Sequence, residues 1–221
     1  IGRSEGAVIK FQITSTKFQT NPKSEELNPK LAEVAVFTTR ADTLFGATYL
    51  VLAPEHALVQ RLLSSSRTRG TSLDSRLRGN DSLLENSEEI EKYLAQTKNK
   101  TEIERTAEGK EKTGVELKGI KATNPANKEE IPVWIADYVL ADYGTGAIMA
   151  VPAHDERDFV FASKYGILKR QVVMYGTLGR NLPEFPGGLL LSENGFDPSI
   201  WRPEYAEDGY LIDSGEFTNQ Y

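Results

Sequence analysis

The sequence predicts an α+β domain built on a compact, barrel-like sheet with peripheral helices. Several short runs are rich in β-branched and aromatic residues, which is typical of strands, and a few longer stretches place apolar residues at helical spacing. The 221 residues contain no internal repeat. Many short strands with two or three helices around one hydrophobic core favour this mixed arrangement.

The first third of the chain predicts three strands and a helix. The segments "AVIKFQIT" (7–14) and "AEVAVFTT" (32–39) predict strands, and the polar segment with two prolines between them predicts a loop. "TYLVLAP" (48–54) predicts a third strand that ends at its proline. "PEHALVQRLL" (54–63) has helical spacing, and its leading proline suits the first turn of a helix.

Residues 64–86 differ in composition from their surroundings. They are rich in Ser and Arg and contain no aromatic residue, so we expect a mobile insertion, with a short helix as the alternative. Four arginines of the segment could bind phosphate, although charge runs more often only solvate a segment: Arg67, Arg69, Arg76 and Arg78.

The rest of the chain predicts two helices and three strands. "SEEIEKYLAQTKN" (87–99) predicts a helix that Asn86 or Ser87 caps, and "DERDFVFASKYG" (155–166) predicts a second one that ends at Gly166. Strands are predicted at 115–122 ("VELKGIKA"), 131–140 ("IPVWIADYVL") and 146–152 ("GAIMAVP"). Beyond residue 176 the content of Gly, Pro and Asn predicts a loop-rich tail.

Composition restricts the classes of function. With 26 basic and 32 acidic residues the net charge is −6, which excludes a polycationic nucleic-acid coat and leaves only local contacts to nucleic acid. The absence of cysteine excludes disulfides and thiolate metal sites and suits a cytosolic protein. No apolar run reaches the roughly 20 residues that span a bilayer. Because the chain starts at Ile1 without a methionine, we expect an excised piece of a longer protein.

Two segments carry the chemistry-bearing residues: "FTTRADTLFG" (37–46) and "DYGTGAIMAVPAHDERDF" (142–159). The acidic residues that begin the second helix satisfy its unpaired N–H groups and its dipole, but Asp158 lies too far into the helix to cap it. The threonines of the first segment could simply bond to backbone groups. His154 has no second histidine nearby in sequence, and its acidic neighbours point in different directions, so we expect no metal site.

Other catalytic arrangements are absent from these segments. The chain has no G-x-S-x-G nucleophile elbow, and it lacks the paired Asp-Thr/Ser-Gly loops of an aspartic protease. The remaining hydroxyls and carboxylates suit a site that holds an ammonium-bearing substrate while water attacks it.

At these residues the sequence resembles the editing domain inserted in class I leucyl-tRNA synthetases. The similarity rests on "TTRADTLFGATYLVLAPEHALV" and "DYGTGAIMAVPAHDERDFVFASKYG", supported by "IGRSEG", "IPVWIADYVL" and "DGYLIDSGEF". It covers nearly the whole chain except 64–86. The related valyl and isoleucyl editing domains share a threonine-rich stretch and Gly-Thr-Gly, but "DTLFG" and "MAVPAHDERD" are of the leucyl kind.

The resemblance implies a proofreading hydrolase that acts on the 3′ end of mischarged tRNA(Leu) and spares leucyl-tRNA. One methylene changes binding in a pocket by only about 1–3 kcal/mol, so a second, hydrolytic site is needed for accurate charging. The ATP-binding signatures of class I synthetases are missing, so ATP and Mg would serve only the parent enzyme. Two alternatives remain: a valyl or isoleucyl editing domain, and a non-catalytic module that docks tRNA.

The resemblance also implies roles for single residues. Asp158 would anchor the substrate ammonium, Thr38 and Thr39 would hold the ester and the attacking water, and Thr43 would block leucine. Arg40 would lie near the terminal adenosine. The other matched positions of the substrate site are Asp42, Tyr143, Met149, Val151, His154 and Asp155.

The resemblance also has implications for cofactors and partners, and the sequence departs from the family at one position. It implies neither a metal nor a cofactor for this domain. The expected partners are tRNA(Leu) and the rest of the synthetase chain, in a cytoplasmic monomer without membrane contact. Ala41 departs from the family, which usually has proline there, and this puts the rigidity of the threonine-rich turn in question.

Overall fold

The structure is a computed structural model that describes most of the chain. It describes residues 5–16, 32–69, 83–98, 100–107, 110–175, 197–206 and 209–218. Backbone contacts divide the chain into two compact units. The first comprises Ile1–Thr39 and Tyr49–Met149, and the second comprises Arg40–Thr48 and Ala150–Tyr221. The organisation of 1–221 as a single editing domain stays a prediction.

A six-stranded sheet belongs to the first unit, except for the last residue of its sixth strand, Ala150. Its strands are β1 (Ala7–Ser15), β2 (Ala32–Thr38), β3 (Tyr49–Leu52), β4 (Gly114–Thr123), β5 (Glu130–Ala136) and β6 (Ala147–Ala150). They lie in the order β2-β1-β4-β5-β3-β6. The pairs β1/β2, β1/β4 and β4/β5 are antiparallel, whereas β3/β5 is parallel. The mixed α and β content is confirmed, but the predicted barrel is not, because β2 and β6 are the open ends of the described sheet.

Side-chain alternation explains how the sheet builds the core of the first unit. In β1, Phe11 and Ile13 are fully buried while Gln12 between them and Lys10 before them are exposed, as expected for a strand with one solvated face. All four residues of β3 are buried. A strand buried on both faces is a continuous apolar run, which is how "YLVL" appears in the sequence.

The end of the segment predicted as an insertion packs on the sheet. Leu84 is 2% exposed, and the N–H of Glu85 donates to the carbonyl of Lys118 at 3.0 Å. At Gly119, where φ is 93°, a Cβ would lie 2.5 Å from the carbonyl oxygen of Leu83. Glycine is therefore required at this point of β4, both for its backbone conformation and for the close approach.

Three helices complete the first unit: α1 (Ala57–Arg69), α2 (Ser87–Thr97) and α3 (Glu102–Thr106). Helix α1 continues six residues into the segment 64–86, in agreement with the helical alternative, while 70–82 lies outside the described residues. Asn86 occupies the N-cap position of α2, but its side chain does not cap the helix. Instead, it donates to the carbonyl of Glu116 and accepts from the N–H of Lys118.

A buried arginine fixes the turn after β5, where the sequence predicted a longer strand. Arg105, on the unpredicted helix α3, is 6% exposed and donates to the carbonyls of Asp137 and Val139. It also forms an ion pair with Glu55 at 2.8 Å. These carbonyls bind a side chain instead of a neighbouring strand, so the predicted strand 131–140 ends at Ala136.

In the described part of the second unit there are one α-helix and a two-stranded sheet. Helix α4 (Glu156–Tyr165) ends at Gly166, whose φ of 66° confirms the predicted left-handed terminus. Strands β7 (Val173–Tyr175) and β8 (Gly209–Leu211) pair antiparallel and were not predicted. A 3-10 helix spans Ala41–Gly46, and shorter ones span Pro203–Ala206 and Gly215–Phe217.

Several predictions fall outside the described residues. These are the loop between β1 and β2, the N-terminal "IGRS", and most of the tail beyond residue 176. Among the helices that the structure does describe, none has the length and hydrophobicity to cross a bilayer.

Candidate functional site

The acidic residues that precede and begin α4 have two different structural roles. Asp155 occupies the N-cap position, and its Oδ1 accepts hydrogen bonds from the backbone N–H groups of Arg157 and Asp158 at 2.9 and 3.1 Å. Its carboxylate also pairs with the Arg157 side chain at 3.2 Å. The predicted capping by Asp155 is therefore confirmed.

Asp158 is instead a buried carboxyl, with only 4% of its surface exposed. Its Oδ2 accepts a hydrogen bond from the backbone N–H of Val151 at 2.9 Å, which ties the first turn of α4 to the chain that leaves β6. Burial, assisted by the charge of Asp155, raises the pKa of Asp158 to about 8 against the opposing effects of the Val151 hydrogen bond and Arg157. Such a carboxyl would be stabilised in its charged form by a compact cation.

His154 is a buried cross-link within the second unit. Its Nδ1 lies 2.9 Å from the carbonyl oxygen of Tyr205, so this nitrogen carries the proton. Its Nε2 then accepts from the N–H groups of Val172 and Val173 at 3.0 and 3.2 Å. Burial, the largest cause, lowers the pKa of His154 to about 4. His154 is thus a neutral imidazole that joins three segments, and its place in the substrate site, behind the residues that contact the substrate, stays a prediction.

The turn that follows β2 is held by its own side chains. The guanidinium of Arg40 donates hydrogen bonds from Nε and NH2 to the carboxylate of Asp42, at 3.0 and 2.8 Å. Its NH1 donates to the carbonyl of Ala206. The hydroxyl of Thr43 donates to the Arg40 carbonyl at 2.8 Å, and Thr43 is fully buried. The alternative that Thr43 bonds to its own loop is therefore confirmed for the hydroxyl.

The remaining site residues differ in how accessible they are. In the first unit, Thr38 is the last residue of β2, Thr39 is exposed and Tyr143 is 81% exposed, whereas Met149 in β6 is buried. Val151, in the second unit, is also buried at 8%. The second unit thus brings together two groups of predicted residues: Arg40, Asp42 and Thr43 in one turn, and Val151, His154, Asp155 and Asp158 around the start of α4.

Sequence reasoning missed the residues that support this site from a distance. Tyr205 receives the His154 hydrogen bond and is 1% exposed, and its ring lies 5.8 Å from that of Trp201. Trp201 in turn lies 5.6 Å from Phe159 on α4. The aromatic and Leu residues of the tail predict that it packs against the rest of the protein, and Trp201 and Tyr205 confirm this for the described part of the tail. No group of three or more metal-ligating side chains occurs among the described residues.

Comparison with known proteins places these residues in a family. The family model described as "Leucyl-tRNA synthetase, editing domain" matches residues 1–221. The chain belongs to this family. It is 48% identical over 219 residues to the leucine–tRNA ligase of Roseiflexus castenholzii (strain DSM 13941 / HLO8), covering 97% of this chain and 20% of the relative. The editing domain thus spans about a fifth of the length of that curated relative.

The structural comparison agrees with the family. The editing domain is similar to a chain in the crystal structure of the ternary complex of Agrobacterium radiobacter K84 agnB2 LeuRS with tRNA and LeuAMS. The two share 25% identity with a TM-score of 0.50, over 86% of this chain and 18% of the other. The leucyl kind of editing domain inferred from "DTLFG" and "MAVPAHDERD" is therefore confirmed.

Proposed function

We propose that this editing domain hydrolyses the ester that joins a non-leucine amino acid to the 3′ end of tRNA(Leu). Membership in the family of leucyl-tRNA synthetase editing domains supports this activity. Isoleucine and norvaline are the expected substrates, because the amino acid pocket of a synthetase rejects such close analogues too weakly by binding alone. ATP-dependent attachment of leucine would belong to parts of the synthetase outside this chain.

The observation that carries the proposal is the environment of Asp158. A buried carboxyl with a raised pKa is costly to ionise, and a bound cation offsets that cost. An aminoacyl ester brings such a cation, its α-ammonium, within two bonds of the carbonyl carbon to be attacked. Because only 4% of Asp158 is exposed, the group that reaches it must be small, as a primary ammonium is.

Other groups would complete the reaction around this anchor. The resemblance gives Thr38 and Thr39 the task of holding the ester and the attacking water, since a hydroxyl can both donate to an oxyanion and accept from water. The substrate's own ribose hydroxyl would help to activate the water. Asp158 would act only on the ammonium. Arg40 is held rigidly by Asp42, and such a fixed guanidinium suits a position beside the terminal nucleotide.

The proposal includes the wider setting of the domain. Its partners would be the 3′ end of tRNA(Leu) and the remainder of the synthetase, in a cytoplasmic monomer. No metal or cofactor would take part in hydrolysis, since hydroxyl groups would hold and activate the water that attacks the ester.

The test is hydrolysis of three substrates by the isolated chain: isoleucyl-, norvalyl- and leucyl-tRNA(Leu). We expect release of isoleucine and norvaline well above the spontaneous rate and no accelerated release of leucine. A non-catalytic docking module would instead bind all three and protect them, and that result would refute the proposal. A chain that released all three amino acids alike would be a hydrolase without the proposed selectivity.

A further inference from the structure

Gly46 is the last residue of the 3-10 helix Ala41–Gly46, which we call the Thr43 helix, and it is buried in the second unit. A Cβ at Gly46 would lie 2.8 Å from Cγ2 of Val172 and 3.0 Å from the carbonyl oxygen of Arg170. Nonbonded carbon atoms usually pack at about 3.5–4.0 Å. Because Gly46 does not have a positive φ, glycine is required here for space and not for its backbone conformation.

The segment that Gly46 contacts also holds the start of α4. The backbone N–H groups of Val172 and Val173 donate to Nε2 of His154, at 3.0 and 3.2 Å. His154 immediately precedes the N-cap of α4, the helix whose first turn carries Asp158. A displacement of Val172 would therefore be passed to the part of the chain that positions the buried carboxyl.

A second contact joins the same end of the Thr43 helix to Asp158. Beyond that end, the N–H of Thr48 donates to the carbonyl of Ala150 at 3.1 Å. Ala150 precedes Val151, whose N–H donates to the Asp158 carboxylate at 2.9 Å. The Thr43 helix is thus connected to the surroundings of Asp158 by two short routes inside the second unit.

We propose that Gly46 is a positioning residue for selectivity. By admitting Val172 at close range, it sets the distance between Thr43, which excludes leucine, and Asp158, which holds the substrate ammonium. The inference rests on the proposed function, which gives those two residues their roles.

The size of the clash shows why the distance matters. A site that distinguishes isomers by the branching of their side chains must hold its groups to within about 0.5 Å. An added methyl would have to displace the Thr43 helix or Val172 by about 0.7 Å to reach an ordinary carbon–carbon separation. This displacement exceeds the tolerance of the site.

The test compares Gly46→Ala with Gly166→Ala, the same chemical change at the end of α4. Gly166 has a φ of 66°, and no described atom beyond its chain neighbours lies within 4 Å of an added Cβ. The control therefore strains the backbone without displacing a neighbour, and both variants should have lower melting temperatures. The measurement is the ratio of the initial hydrolysis rates of isoleucyl- and leucyl-tRNA(Leu), each corrected for the folded fraction.

We expect Gly46→Ala to lower this ratio at least about tenfold, since a misplacement of about 1 Å can cost about a hundredfold in rate. If Thr43 moves away from the substrate, leucine is admitted, and if it moves towards the substrate, isoleucine is excluded. The ratio of isoleucine to leucine release falls in either case. Gly166→Ala should keep the wild-type ratio.

A second substitution tests whether the contact with Val172 is the cause. Val172→Ala removes Cγ1 and Cγ2, which would lie 3.4 and 2.8 Å from the added Cβ, and its backbone N–H can still donate to His154. The double variant Gly46→Ala with Val172→Ala should therefore recover most of the lost ratio. It also provides the test if Gly46→Ala alone does not fold.

Three results would overturn the inference: a wild-type ratio in Gly46→Ala, an equal loss in Gly46→Ala and Gly166→Ala, or a double variant that folds but stays unselective. Its failure is separable from that of the proposed function, which the wild type tests alone. A selective wild type together with an equally selective Gly46→Ala refutes only the inference. A wild type that hydrolyses neither substrate refutes the function, and the inference with it.

Discussion

The carboxylate of Asp158 accepts a hydrogen bond from the backbone N–H of Val151, seven residues earlier, at 2.9 Å. This bond lies within the second unit. It joins Val151 to the first turn of α4 and positions the carboxylate where it is nearly inaccessible to water. An aspartate one turn earlier, Asp155, performs the ordinary work of capping. The different environments of the two carboxylates lead to the predictions that follow.

The first prediction concerns the pH dependence of stability. The pKa of Asp158 is raised from 3.8 to about 8 in the folded state, so the folded chain binds a proton more tightly than the unfolded chain. Its contribution to stability is complete below pH 4 and is lost as the pH rises through 8. Asp158→Asn does not titrate, and its amide oxygen can still accept from Val151. Relative to the wild type, the variant should therefore gain stability between pH 5 and 8.5.

Urea unfolding of both proteins at these two pH values measures the effect. The quantity of interest is the difference between the two unfolding free energies, because other groups titrate equally in both. A difference that stays constant over this range would mean that Asp158 is ionised at a normal pKa in the folded chain, and the anchor would then not need a cation.

The second prediction has the opposite sign. The pKa of His154 falls from 6.5 to about 4 in the folded state, mainly through burial, so the folded chain resists protonation. Its contribution to stability is present above pH 6.5 and is lost as the pH falls towards 4, because a protonated ring could no longer accept from Val172 and Val173. His154→Gln removes the titration. Acidification from pH 7 to 4.5 should destabilise the wild type more than this variant.

Fluorescence can assign this loss to the second unit. Trp201 belongs to that unit and Trp134 to the first, so a Trp134→Phe background reports on the second unit alone. An equal acid-induced loss of stability in both proteins would show that another group is responsible.

The sequence could predict features that depend on neighbouring residues, but not those that depend on contacts between distant residues. The capping role of Asp155, the helix end at Gly166 and the strands around "YLVL" follow from local patterns of a few residues, and they were predicted. The carbonyl that binds His154 belongs to Tyr205, 51 residues away. No local pattern encodes such a distant pairing, so neither the tautomer of His154 nor its burial could be derived from the sequence.

The same reason explains the errors at element ends. Asn86 has the residue type and position of a helix cap, but the backbone of β4, 30 residues away, offers its amide better partners. The strand predicted at 131–140 stops early because Arg105 binds the carbonyls that a neighbouring strand would have used. In both places a tertiary contact prevails over a local preference.

The third prediction concerns selectivity. It tests the hydroxyl of Thr43 and the β-branched shape of its side chain separately. Its hydroxyl bonds to Arg40, so only the rigid β-branched shape remains to exclude leucine, which has the same volume as isoleucine. Thr43→Val keeps the shape and should still spare leucyl-tRNA. The loss of stability should be about 0.5–1.5 kcal/mol, because the Arg40 carbonyl loses the hydroxyl but keeps its bond from the backbone N–H of residue 43, at 3.2 Å. Thr43→Ala removes the shape and should allow hydrolysis of leucyl-tRNA.

Hydrolysis of leucyl- and isoleucyl-tRNA by both variants provides the comparison. If Thr43→Ala still spares leucyl-tRNA, then the fully buried Thr43 only stabilises its turn. Met149 and Val151 would be the next residues to test.

The fourth prediction concerns the departure from the family at residue 41. Ala41 is the first residue of the 3-10 helix that follows Arg40, and its side chain is exposed. Proline is well suited to a first helical position, and it restricts the unfolded chain. Ala41→Pro should leave the stability unchanged or raise it by about 0.4–1 kcal/mol. A lowered urea midpoint would show that the backbone of this turn does not accept proline.

The most direct test of the central claim is the rate of isoleucyl-tRNA(Leu) hydrolysis by Asp158→Asn, with Asp155→Asn as the matched control. Both variants replace one carboxyl group at the start of α4 by an amide, and asparagine is itself a good N-cap, so the control keeps the helix start intact. If Asp158 holds the substrate ammonium, Asp158→Asn should lower the rate at least about tenfold, the equivalent of one charged hydrogen bond, and Asp155→Asn should lower it much less. Wild-type hydrolysis by Asp158→Asn would contradict the account.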